Sequence, residues 1–156
     1  MPLFSRIVYA MVRRAARKGL AAPAPPAAGD AAEPYQRRAR GTGLRGETFA
    51  YWYLRSRGYI FIARNFTVPG VKGEIDLIGY DGEKLAFVEV KTRTGAPKQP
   101  APEEAVNEHK RDTMARIARS FLTQRGIPES VARFDVLAIE SRPGQEPVVR
   151  LHKGVF

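Results

Sequence analysis

The segment KLAFVEVKTR, residues 84–93, places the tightest constraint on how this chain can fold. Side chains on a β-strand alternate between its two faces, so Leu85 and Phe87 share one face with Glu89 and Lys91. The positions between them are apolar as well: Ala86, Val88 and Val90. A strand that is apolar on both faces is typical of a central strand covered on both sides. The two charges at its far end therefore need a partner or a function.

The rest of the sequence predicts helices and further strands around this central strand. Gly58 and Gly126 follow two helical patterns, and Asp81-Gly82 is a strong hairpin signal. We predict a helix over 43–58, strands over 59–67, 73–80 and 84–93, a loop over 94–102, a helix over 103–125, and strands over 131–140 and 147–152. The order αβββαββ indicates an α/β fold with an αβββαβ core, in which a central mixed sheet is flanked by helices.

The N-terminal region differs in composition from the rest of the chain. Residues 1–45 contain nine Lys/Arg and two Asp/Glu, a net of +7 out of +10 for the whole chain. We predict a basic arm over 1–40, disordered or partly helical and including an Ala/Pro linker, followed by a folded domain over 41–156. Residues 1–20 are compatible with an amphipathic helix on a membrane surface, a transit-like peptide or a frayed tail. We favour the frayed tail.

Composition excludes several classes of site. The chain has no cysteine and only two histidines, which excludes disulfides and thiolate sites and disfavours zinc. Any metal is expected to be a hard cation bound by oxygen atoms. The net charge of +10 predicts a polyanionic partner, and the lack of cysteine fits a cytoplasmic location. No apolar run reaches the roughly 18 residues that a membrane span needs, so we expect no integral membrane association.

Asp76 lies on the strand before Glu89 and is predicted to join it. A four-residue turn over 81–84 puts Asp76 directly opposite Glu89, whereas a two-residue turn leaves the two diagonal; both registers keep them on one face. Two adjacent carboxylates repel each other unless a cation lies between them. Mg²⁺ or Mn²⁺ could be held by these carboxylates and the Val90 carbonyl, with Lys91 positioning a water molecule. The alternative is a surface ion pair between Glu89 and Lys91.

Glu47 adds a third acid on the predicted first helix. It shares the stripe of apolar residues that faces the core: Leu44, Ala50, Tyr51 and Leu54. An acid on that stripe could bind metal directly or through water. A glutamate in the first turn of a helix is also favoured by the helix dipole alone, and the pattern does not decide between the two.

Five ordered blocks resemble one protein family over about residues 41–140. They are GETFAYWYL, GYIFIARNF, GEIDLI, FVEVKTR and RFDVLAI. Together they look like the YraN-type family of bacterial proteins, which is assigned a restriction-endonuclease-like fold close to archaeal Holliday-junction resolvases. The resemblance implies a PD-(D/E)xK nuclease in the bacterial cytoplasm that hydrolyses DNA, including branched or structured DNA. The alternative is a nucleic-acid-binding module with this fold and little or no cleavage.

The resemblance also assigns roles to individual residues. It implies catalytic roles for Asp76, Glu89 and Lys91, with Asp76 and Glu89 as metal ligands and Glu47 as a further ligand. Arg93 and Lys110 are implied at the site, as a phosphate contact and as a lysine that either contacts DNA or forms a structural pair. A resolvase-like activity implies two active sites and hence a homodimer.

Other polar and aromatic residues have weaker assignments from the sequence. Arg116 is a candidate phosphate contact, although a solvated helix face explains it equally well. Glu74 is a spare ligand or a partner of one. For the remaining candidates we favour structural roles: an ion pair for Asp135 with Arg133, a turn for Asn65, an exposed position for His109, and core packing for Tyr51, Trp52 and Tyr53.

Overall fold

The computed structural model describes residues 3–21, 32–94 and 108–156, apart from the side chains of residues 32–38. Its helices are α1 (Leu3–Ala16), α2 (Ala32–Arg55) and α3 (Glu108–Arg125). Its strands are β1 (Ile60–Val68), β2 (Val71–Asp81), β3 (Lys84–Thr94), β4 (Ala132–Ser141) and β5 (Val148–Lys153). The predicted order αβββαββ is confirmed, with α1 as an additional helix before it.

The five strands form one mixed sheet in the order β1-β2-β3-β4-β5. Neighbouring strands are antiparallel except β3 and β4, which pair in parallel from Leu85↔Ala132 to Thr94↔Ser141. A parallel pair needs a long connection, and α3 lies in that connection. The prediction of a mixed α/β sheet with β3 at its centre is confirmed.

Both faces of β3 are covered, as the sequence predicts. Leu85 and Phe87 are fully buried against α3, where they meet Met114 and Phe121. On the opposite face, Ala86 and Val88 belong to the cluster that includes Phe49 of α2. Polar side chains at the end of β3 therefore lie between two helical layers.

The helix bounds differ from the prediction at several ends. α2 begins at Ala32 rather than 43 and runs without a break through the predicted domain boundary at residue 41. Pro34 does not interrupt this helix, because it lies in the first turn, where a backbone N–H has no acceptor within the helix. Of the predicted loop over 94–102, Thr94 belongs to β3 instead, and residues 95–102 lie outside the described residues. The first five residues of the predicted helix over 103–125 and most of the Ala/Pro linker also lie outside them.

The expectation of a frayed N-terminal tail is wrong for residues 3–21. Tyr9 makes edge contacts with the rings of Phe49 and Tyr53, both 5.8 Å between centroids. Leu20 is buried, and its backbone N–H donates to Ser141 Oγ at 2.9 Å. This segment is basic, and part of its counter-charge comes from the other end of the chain.

Two arginines of this segment meet one acid of the β4–β5 connection. Arg13 and Arg17 both pair with Glu146, and the Arg17 carbonyl accepts from the N–H of Gly144 at 2.8 Å. The hydrogen bonds pull the pKa of Glu146 below its ordinary value, with Arg17 as the largest cause. None of the helices in the described ranges is long and apolar enough to cross a membrane.

The packing of α1 predicts unequal effects for two substitutions on its opposite faces. Tyr9→Ala should lower the free energy of unfolding by about 2 kcal/mol, because it removes a ring packed on Phe49 and Tyr53. Met11→Ala, at a side chain that is 67% exposed, should change it by less than about 0.5 kcal/mol. Urea unfolding of both variants measures the difference, and equal small effects would mean that α1 is not docked.

Candidate functional site

The β2–β3 hairpin brings Asp76 next to Glu89. The pairs Asp81↔Lys84, Tyr80↔Leu85 and Leu77↔Val88 define the register, and one further step along it places Asp76 opposite Glu89. This is the register predicted for the four-residue turn. Gly82 permits the turn with a φ of 62°. Both carboxylates are buried, at 8% exposure for Asp76 and 4% for Glu89.

Asp76 is held by the backbone of the neighbouring strand. The N–H of Val90 donates to Asp76 Oδ2 at 2.6 Å. Burial, then the charge of Glu89 and then that of Glu47 raise the pKa of Asp76, which comes to about 7. The Val90 hydrogen bond and Lys110 act in the opposite direction. The shift reflects negative charge crowded into a space with little water.

Glu89 is contacted by two lysines from different elements. Lys91 Nζ lies 2.8 Å from Glu89 Oε1, and Lys110 Nζ of α3 lies 3.0 Å from Glu89 Oε2. Despite the closeness of Lys110, Oε2 is a buried acceptor that makes no hydrogen bond within the described structure. The resemblance implies either a DNA contact or a structural pair for Lys110. In the structure, Lys110 lies at the site and forms an ion pair with Glu89.

Glu47 approaches the same region from α2. Asn65 Nδ2 donates to Glu47 Oε2 at 2.9 Å, and the effect of Glu47 on Asp76 shows that its charge is felt there. Asn65 has a φ of 47°, which marks an irregular backbone position, so its role combines the expected local structure with a contact near the site.

The position of α2 depends on a close approach that the sequence reasoning missed. A Cβ atom at Gly46 would lie 1.8 Å from Thr92 Oγ1, so only glycine lets the helix come this near to β3. A glycine inside a helical pattern was the available signal. Beside this contact is a groove of about 580 Å³ whose lining reaches the site: Ala39, Thr42, Gly43, Val90, Lys91, Thr92 and Thr94.

The donor set fits a hard cation only in part as predicted. In the ranges 3–21, 32–94 and 108–156, no three Asp, Glu or His side chains lie close enough to hold one ion, so Glu47 does not complete a three-acid cluster with Asp76 and Glu89. The two carboxylates remain adjacent. The raised pKa of Asp76 reflects a crowding of negative charge that a cation would relieve.

The other predicted site residues are distributed around this centre. Arg93 is half-buried at the end of β3, and Glu74 is exposed on β2. Arg116 lines a separate groove of about 410 Å³ with Val68 and Val71, which includes none of the predicted metal ligands. His109 is exposed as expected, and Tyr53 is buried, whereas Tyr51 and Trp52 are half-buried against their neighbours.

Asp135 belongs to a polar cluster near the β2–β3 turn. Arg133 pairs with Asp135 at 2.8 Å, which confirms the predicted ion pair, and with Asp81 at 2.6 Å. Burial alone would raise the pKa of Asp81, but hydrogen bonds from Lys153 and Arg133 lower it overall. Burial and then Asp135 raise the pKa of Tyr59, whose hydroxyl accepts from Arg133. This cluster ties three strands together.

Comparison with known proteins identifies related sequences in several bacteria. The model of Uncharacterised protein family UPF0102 matches residues 46–139. A UPF0102 protein of Koribacter versatilis is 42% identical over 116 residues, which cover 74% of this chain and 78% of that protein. One from Symbiobacterium thermophilum is 42% identical over 117 residues, or 75% of this chain and 97% of that protein. One from Nocardia farcinica is 40% identical over 114 residues, with 73% and 87% covered.

The raised pKa predicts how Asp76→Asn changes stability without metal. The pKa of Asp76 is about 7 in the folded protein and about 4 in the unfolded chain. The folded wild type therefore holds a proton that the unfolded chain releases, and its stability falls as the pH rises from the lower to the higher of these values. In EDTA, Asp76→Asn should therefore raise the free energy of unfolding at pH 8 and change it much less at pH 5. Urea unfolding at both pH values measures this.

The exposed Asp112 of α3 provides the control for this measurement. Asp112→Asn should have the same small effect at both pH values. If Asp76→Asn destabilised the protein equally at pH 5 and pH 8, charge crowding at Asp76 would be excluded.

Proposed function

We propose that this chain, which belongs to the uncharacterised protein family UPF0102, is a metal-dependent nuclease that hydrolyses phosphodiester bonds in DNA. The observation that carries the proposal is the buried pair of Asp76 and Glu89 at the end of the central strand, with Lys91 in contact with Glu89. Buried carboxylates are costly, and the residues next to Glu89 on β3, Val90 and Lys91, line an open groove, which favours a catalytic use over a structural one.

Asp76, Glu89 and the Val90 carbonyl are the groups that would hold Mg²⁺ or Mn²⁺. Such an ion supplies a bound water of lowered pKa and offsets negative charge on the phosphate. The Val90 N–H holds Asp76 Oδ2, so Oδ1 is the oxygen of that carboxylate that we assign to the ion. Strand β3 thus contributes three consecutive functional positions, residues 89–91.

Lys91 is the residue we assign to the attacking water and the scissile phosphate. Its ammonium group lies 2.8 Å from Glu89 Oε1, so it is close to the place where a metal ion bound by Glu89, and the water on that ion, would lie. A cation at that distance stabilises developing negative charge and positions a nucleophilic water. Lys110 holds the second oxygen of Glu89 from α3 and orients this carboxylate.

Glu47 would act through water rather than as a direct ligand. Its carboxylate is committed to Asn65 at 2.9 Å and forms no three-acid cluster with Asp76 and Glu89. Gly43 lines the groove, and a Cβ atom built on it would lie 3.9 Å from Glu47 Oε1, so this oxygen can accept a hydrogen bond from a water at that end of the groove.

The substrate part of the proposal draws on charge and on resemblance. Residues 46–156 contain 17 Lys/Arg and 14 Asp/Glu, a net of only +3, so the support from charge comes from individual groups: Arg93 and Arg116 are candidate phosphate contacts. Resemblance to Holliday-junction resolvases favours branched or structured DNA and a homodimer that acts in the bacterial cytoplasm.

A second candidate is a nucleic-acid-binding module with little or no cleavage. The double ion pair favours it, because Lys91 and Lys110 together balance the charge of Glu89 without a metal. Under this alternative the same residues would stabilise the fold and bind phosphate through the lysines.

Cleavage assays separate the two candidates. Purified protein with Mn²⁺ is incubated with linear, single-stranded, flap and four-way-junction DNA. We expect metal-dependent cutting that falls by about 10²–10³-fold in Lys91→Ala, because one charge-stabilising group is lost, and by at least as much in Asp76→Asn.

Exposed residues with matching chemistry serve as controls. Glu83→Gln in the hairpin turn and Lys72→Ala on β2 should cut like the wild type. DNA binding without cutting by the wild type on every substrate would replace the nuclease with the binding module.

Metal binding is expected to appear as a gain in stability. At a Mn²⁺ concentration 100 times the dissociation constant, the free energy of unfolding should rise by about 2.7 kcal/mol. Asp76→Asn should remove the gain, and Glu83→Gln should keep it. Denaturant unfolding with Mn²⁺ and with EDTA gives the comparison; an equal gain in both variants would place the ion elsewhere.

A further inference from the structure

We propose that the outer face of α1 binds the surface of an anionic lipid bilayer. Four large apolar side chains of this helix are between 51% and 71% exposed: Leu3, Phe4, Ile7 and Met11. Leu3, Ile7 and Met11 are spaced four residues apart, so they form one stripe along the helix, and Phe4 lies beside it. The stripe is apolar and continuous, and each of its side chains is more than half exposed.

Packing of the opposite face holds this stripe outward. Tyr9 and Ala16 are in the core cluster shared with α2, and the ion pairs of Arg13 and Arg17 with Glu146 fix the rotation of the helix. Phe4 makes an edge contact with Trp52, 6.3 Å between centroids, which extends the apolar surface onto α2. The exposed stripe is therefore a feature of the docked helix.

Positive charge surrounds the stripe. Residues 3–21 contain five basic side chains and no acidic one: Arg6, Arg13, Arg14, Arg17 and Lys18. A groove of about 800 Å³ along the helix combines these arginines with apolar residues, among them Arg6, Arg14, Ile7 and Met11. Apolar side chains flanked by arginine are what an interfacial helix presents to acyl chains and anionic headgroups.

Two other occupants fit this surface less well. A second copy of the chain would bring two sets of basic residues together, and their repulsion would oppose burial of the stripe. A nucleic acid would pair with the arginines, but the aliphatic stripe of Leu3, Ile7 and Met11 would remain in water. An anionic bilayer matches both parts.

The length of α1 indicates how it would bind. Its 14 residues span about 21 Å, too short to cross a bilayer core of about 30 Å. We therefore expect α1 to lie in the plane of the interface, with the folded domain on the aqueous side.

Vesicle sedimentation of the full chain tests this inference. We expect binding to vesicles of 30% phosphatidylglycerol in phosphatidylcholine, at least tenfold weaker binding to pure phosphatidylcholine, and weaker binding at high salt. Ile7→Asp with Met11→Asp should reduce binding to anionic vesicles at least tenfold. The matched control places the same change on exposed strand residues, Ile60→Asp with Val148→Asp, and should bind like the wild type.

Trp52 gives a second readout, since it is the chain's one tryptophan and contacts Phe4. Its emission should shift to shorter wavelength on anionic vesicles in the wild type and in the control variant. Unfolding curves confirm that both double variants are folded, and the catalytic residues are unchanged in each.

Three results would overturn the inference. They are absence of binding to anionic vesicles, equal binding to neutral vesicles, and equal loss of binding in the two double variants. A concentration-dependent dimer lost only in Ile7→Asp with Met11→Asp, without vesicle binding, would assign the stripe to a second copy. Weakened DNA binding in that variant, again without vesicle binding, would assign it to nucleic acid.

Discussion

Burial of two carboxylates on adjacent strands is the constraint around which this structure is organised. Asp76 and Glu89 lie where the sheet is covered by helices on both sides, so little water reaches their charge. In place of water, the Val90 N–H donates a hydrogen bond to Asp76, and Lys91 and Lys110 form ion pairs with Glu89. The hairpin register and the placement of α3 bring these groups together.

The helical layer on the other face defines access to the pair. Gly46 lets α2 approach Thr92, and the groove beside this contact reaches Lys91. α1 in turn packs on α2 through Tyr9 and is fastened to the β4–β5 connection through Glu146. The position of α2 beside the site therefore depends in part on its contacts with α1. Through these contacts the proposed catalytic site and the proposed membrane-binding face belong to one packed domain.

The sheet and the central residues of the site could be predicted from short-range sequence patterns. The two-sided apolar strand over 84–93 and the Asp81-Gly82 turn are encoded within about twenty residues, so alternation and register could be predicted. Contacts between distant segments could not. Glu146 lies 133 residues from Arg13, and neither hydrophobic periodicity nor amino-acid composition indicates that the two side chains form a pair. The Lys110–Glu89 pair and the Glu47–Asn65 hydrogen bond likewise arise only when α3 and α2 pack on the sheet.

The central claim is that Asp76 and Glu89 share a divalent cation. Crystals grown with Mn²⁺ and measured at a wavelength with strong manganese anomalous scattering test it most directly. We predict an anomalous peak about 2–2.4 Å from a carboxylate oxygen of Asp76 and one of Glu89, with the Val90 carbonyl as a further ligand. Glu89 still paired with Lys91 and Lys110, with no peak between the carboxylates at saturating Mn²⁺, would contradict it.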